Sequence, residues 1–174
     1  VTLGSASDSD RSSLTSQMQL ELFADYHQIL LLDEHSEADF GDLWSATATQ
    51  DSMAVGDDGL AIGTEVNVNV AVTVELHTRA PGPDADQFDN VVEASVNAAS
   101  GRLVVLGCTD YFPEAQRIPV EPGWVRVRVS RWNLRNAARA GHLSDDDVET
   151  MEKLRIQVWR CPNRQLAVIK RWKG

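Results

Sequence analysis

Residues 65–76, EVNVNVAVTVEL, alternate polar and apolar side chains with hardly an error. Val66, Val68, Val70, Val72, Val74 and Leu76 fall on one side of an extended chain. Glu65, Asn67, Asn69, Ala71, Thr73 and Glu75 fall on the other. A period of two over this length specifies a strand with one dry face and one wet face. The reading places this strand at residues 60–77, after a GDDG turn at 56–59 whose glycines and aspartates suit tight backbone geometry.

The same signal recurs along the chain. Met18, Leu20 and Leu22 alternate, and HQILLLDE then gives a short apolar run bounded by charge, which suits a buried strand. Val92, Ala94 and Val96, the turn AASG and the return RLVVLGC read as a hairpin. After EPG, Val125, Val127 and Val129 alternate with Arg126 and Arg128. KLRIQVWRC and RQLAVIKRW read as a last strand pair turning at PNR. Ser144, followed by acids at 145–147, marks the N-terminus of one short helix near 144–152. No strand–helix–strand alternation occurs. The expectation is an all-β fold, an antiparallel β-sandwich or flattened barrel of about eight strands. Residues 18–174 form one domain in this reading, and the polar, Ser-rich residues 1–17 form a flexible tail.

Charge is segregated. Up to residue 120 there are 20 acids and four bases; from Glu121 onward there are six acids and twelve bases. Such blocks steer oppositely charged partners, unless the two halves interleave in the fold and cancel. A chain of net charge −10 is a poor direct partner for phosphate backbones. No apolar run approaches the ~20 residues of a membrane helix, and no apolar leader follows a basic start. The expected setting is cytoplasmic and away from membranes.

Chemical signatures are sparse. His27, His35, His77 and His142 stand in no metal-ligand frame, and no metal or cofactor is expected. Cys108 and Cys161, the only thiols, read as free, although one disulfide between them stays open. GxSxG, P-loop and GxGxxG motifs are absent. Glu65 and Glu75 are too far apart along one strand to act on one bond. Two groups remain. Arg126 and Arg128 share one strand face beside Trp124; they read either as anion contacts or as partners of acids on a neighbouring strand such as Glu75 or Glu93. Asp33, Glu34, Glu37, Asp39, Asp42, Asp57 and Asp58 cluster in loops, where binding sites usually lie.

The order of several pieces is also familiar. Tyr26-His27-Gln28 precedes Trp44 in an acidic loop, then come DDGLAIGT, the alternating valines and IPVEPGWVRVRV. Over roughly residues 20–130 this arrangement resembles the competence protein J family. The resemblance implies a small acidic β-sandwich that inhibits a DNA-entry nuclease and has no catalytic residues. The chain departs from that pattern in its length, in NLRNAARAGHLSDDD and in its basic ending. The expected function is non-enzymatic binding of a protein, one of basic character, through the seven loop acids. The alternative is a small-ligand or carbohydrate-binding module, or a hydrolase, using tryptophans and cross-strand carboxylates.

Overall fold

The computed structural model describes residues 13–174; most of the tail expected at 1–17 lies outside them. Eleven strands form two sheets. The first sheet has the order β1 (Leu14–Phe23), β5 (Asn69–His77), β10 (Lys153–Arg160), β9 (Gly123–Trp132), β6 (Asn90–Ala98), β11 (Ala167–Lys170). The second has the order β3 (Met53–Val55), β4 (Gly59–Gly63), β2 (Gln28–Asp33), β7 (Arg102–Gly107), β8 (Gln116–Pro119). Every pairing is antiparallel except β5 with β10. The fold is an all-β sandwich, as the alternating runs predict.

The core lies between the sheets. Val70, Val72 and Val74 of β5 meet Val125, Val127 and Val129 of β9 and Leu154 and Ile156 of β10. From the other sheet come Ile29, Leu31, Leu60, Ile62, Leu103 and Val105. A second apolar layer sits outside the second sheet. There Phe40 joins Leu32, Ala61, Val104 and Leu106, with Leu43 and Trp44 packed against them. The acidic loop after β2 is therefore strapped across that sheet by its own apolar residues.

Four local expectations change in the folded chain. The strand expected over 60–77 divides at residues 64–68, so β4 and β5 belong to different sheets. Thr64 Oγ1 donates to the Val66 carbonyl, and the Glu65 N–H donates to Glu152 Oε2, which holds the chain in this crossover. β6 and β7 do not pair as a hairpin, because their turn crosses from one sheet to the other. Likewise β10 pairs with β9 and β5, whereas β11 pairs with β6. Strands whose two faces are both largely apolar carry no signal saying which sheet takes them. Finally, the helical segment begins earlier than Ser144: α2 spans Leu134–Ala140, followed by a 3-10 turn over Gly141–Asp146. A shorter helix, α1 (Ala46–Asp51), is capped by Ser45, whose side chain accepts the Ala48 N–H.

The outward face of the first sheet is polar but far from bare. Arg126 Nε donates to Glu93 Oε2 at 3.1 Å and Arg128 Nε to Glu93 Oε1 at 2.8 Å. Their remaining donors reach the carbonyls of Gln165 and Gly82. Glu75, on the wet side of β5, accepts from Gln17 and Gln157 and lies 3.1 Å from His77 Nε2. Burial pushes its carboxyl up, but His77, Gln157 and Arg155 together hold it below the usual value. On the alternating strand, Glu75 is thus bound into a hydrogen-bonded layer with side chains of β1 and β10.

Candidate functional site

The seven loop acids gather around the β2 terminus and the β3–β4 turn. The Asp33 N–H donates to the Asp58 carbonyl at 2.7 Å, and Ser36 Oγ donates to Asp58 Oδ1 at 2.9 Å. Asp33 itself is buried and accepts from Ser100 and from the His35 N–H. Burial pushes the Asp33 carboxyl up, and those hydrogen bonds more than reverse it, so the net shift is downward. Desolvation pushes the Glu34 carboxyl up, and Arg102 and Arg117 facing it together hold it below its usual value. Asp39 accepts the Gly41 N–H. Glu37, Asp39, Asp42 and Asp57 are exposed and make no ion pair among the described residues.

The two charge blocks interleave unevenly. Arg126 and Arg128 neutralise Glu93, Arg155 meets Asp84 at 2.6 Å, Arg131 meets Glu65 at 3.3 Å, and Arg171 meets Asp51 at 2.5 Å. Bases from the last third therefore compensate Glu93 of β6, Glu65 of the crossover, Asp84 of the β5–β6 connection and Asp51 of α1. Among the described residues the loop at 34–42 and the turn at 57–58 receive only Arg102 and Arg117, both on Glu34, and the other acids there have no ion-pair partner.

Arg126 and Arg128 are committed to Glu93, the neighbouring-strand arrangement weighed from sequence, and Trp124 is stacked by Arg164 at 4.8 Å. Both cysteines are free. Among the described residues no group of three His, Cys, Asp or Glu side chains could hold a metal ion. None of the described helices is long and apolar enough to cross a membrane.

A second feature lies where the acidic loop runs back to the start of β2. The turn Asp25–Gln28 is closed by the Gln28 N–H donating to the Asp25 carbonyl. Tyr26 and His27 occupy its centre with φ of 54° and 55°, a left-handed pair usually given to Asn-Gly. Beside it Ser52, φ 56°, ends α1, and Trp44 Nε1 donates to Gln28 Oε1 at 2.8 Å. These residues and Glu65 line a cleft of about 510 Å³. No local sequence pattern joins His27 and Trp44 to Ser52, at the end of α1, or to Glu65, which the crossover at 64–68 delivers.

The fold has counterparts among solved structures. The chain is similar to ComJ from Bacillus subtilis, an inhibitor of the DNA-degrading activity of NucA. The TM-score is 0.65 at 11% identity, covering 85% of this chain and 98% of that one. The chain shares the ComJ fold. It is also similar to the structure described as crocagin biosynthetic gene J, with a TM-score of 0.54 at 19% identity, covering 83% of this chain and 95% of that one. No protein-family model and no curated protein matches the sequence. At these identities the likeness is one of fold.

Proposed function

We propose that this protein is a non-enzymatic inhibitor that docks its acidic loop surface onto a basic protein, of which a DNA-degrading nuclease is the best-supported kind. The observation that carries this reading is the unpaired charge of Glu37, Asp39 and Asp42, on a loop strapped to the sandwich by Phe40 and Leu43, and of Asp57 in the β3–β4 turn. An enzyme that grips DNA presents cationic groups to phosphates, and a fixed carboxylate array competes for the same groups. The buried Asp33 and the paired Glu34 and Asp58 set the shape of the loop. The ComJ-like fold supports the reading, since ComJ inhibits a nuclease on a sandwich of the same plan.

The alternative, a carbohydrate-binding or hydrolytic site, wants tryptophan and two carboxylates around one cleft. The cleft with Trp44 holds Glu65 as its one acid; that with Trp159 holds Glu121; that with Asp110 and Glu114 has no tryptophan. The docking reading therefore has the stronger support. Its test is plasmid DNA degradation by the cation-exchange nuclease fraction of the native host. Degradation should cease once the protein is in stoichiometric excess at low salt and resume at high salt. Degradation unchanged by excess protein overturns the reading.

A further inference from the structure

Among the described residues, three of the four non-glycine positions with positive φ, Tyr26, His27 and Ser52, line one cleft. Each left-handed placement of an ordinary side chain is unfavourable, and such costs concentrate where geometry serves a purpose beyond stability. Here the turn at Tyr26-His27 projects a tyrosine that is 71% exposed beside a half-buried indole. Trp44 is held by its bond to Gln28. No lysine or arginine lines the cleft.

The electrostatics add a sign. Arg131 gives its close contacts to the buried Glu152, with Nε at 3.1 Å and Nη2 at 2.9 Å from Oε1. Glu65, at 3.3 Å, is the outer and weaker partner, with its side chain 29% exposed. Its charge is therefore only partly neutralised where it borders the cleft. Two aromatic side chains lining one cleft with a partly compensated carboxylate favour a planar, weakly hydrated cation over a sugar or an anion.

We infer that this cleft is a recognition pocket for a guanidinium group, an arginine side chain of the docked partner. The inference deepens the docking reading and rests on it for what carries the arginine. Asp42 of the acidic loop is two residues from Trp44, which lines the cleft, so a basic protein lying on the loop can place one arginine in the cleft with Tyr26 and Trp44. The loop then supplies long-range attraction and the cleft supplies the anchor.

The test is an amide and indole NMR titration with N-acetyl-arginine amide, with the N-acetyl-citrulline amide as the uncharged isostere. The Trp44 indole and the amides of Tyr26, His27 and Ser52 should shift saturably, and the citrulline compound should bind about tenfold more weakly. Glu65→Gln, which keeps a hydrogen-bonding oxygen for Arg131, should weaken the arginine probe severalfold. Tyr26→Gly supplies the control for folding. It relieves the left-handed strain, so it should raise the unfolding midpoint while weakening the probe. Shifts that are absent, scattered or equal for citrulline overturn the inference. Because the probe is a free amino-acid derivative, the two readings fail separately. Probe binding without nuclease inhibition keeps the cleft and removes the docking reading; inhibition without probe binding does the reverse.

Discussion

Ser100 gives both its backbone N–H, at 2.9 Å, and its hydroxyl, at 2.7 Å, to the same oxygen of Asp33. Through that one carboxylate the β6–β7 crossing is tied to the end of β2, where the acidic loop departs. Replacing Asp33 by Asn removes the charge from these bonds and should cost about 1.5–3 kcal/mol at neutral pH. The pH dependence has a definite sign. The folded carboxyl lies below its ordinary value, so its stabilisation is fully present above the unfolded pKa of about 3.9 and is lost as pH falls through the folded value. Urea unfolding should show a wild-type advantage over Asp33→Asn at pH 7 that shrinks below pH ~4. An equal difference at both pH values would contradict it.

Gly59 places its backbone against the strap that carries the acids. A Cβ there would lie 2.6 Å from Phe40 Cζ and 2.8 Å from Leu32 Cβ. Gly59→Ala should therefore cost about 1–3 kcal/mol and displace Phe40. Thermal unfolding measures the first effect, and faster amide exchange at residues 37–43 reports the second.

The Arg131–Glu152 pair is buried at 1% and 0% exposure. Burial pushes the Glu152 carboxyl up, with Arg131 opposing, and the net direction is upward. Removing Glu152 leaves the buried Arg131 with only the longer contact to Glu65 and takes the acceptor from the Glu65 N–H, so Glu152→Leu should cost about 3–5 kcal/mol. Arg131→Met combined with Glu152→Leu should recover most of that loss, because paired desolvation disappears with the pair. A double variant no more stable than Glu152→Leu alone in a chemical denaturation cycle would contradict this.

The sandwich was legible because β5 and β9 carry their valines at strict alternation, and one dry face demands another. Sheet membership was not. β6 buries residues on both faces, so its sequence is equally compatible with pairing β7 or with crossing away from it. The parallel contact of β5 with β10 joins segments some eighty residues apart, and no local signal announces it. In the loops, composition marked the acids as a group. It could not separate Asp33, whose oxygens are consumed internally, from Glu37 and Asp57, which face water. The strain at Tyr26 and His27 was equally silent, because their side chains argue against the conformation they adopt.

The most direct measurement is affinity capture from the native host's lysate on the immobilised protein, beside a variant with Glu37, Asp39, Asp42 and Asp57 changed to Lys. The account predicts one basic protein with DNA-degrading activity, retained by the wild type at low salt, released at high salt and absent from the variant. The same proteins on both columns, or retention indifferent to salt, would contradict an acidic docking surface.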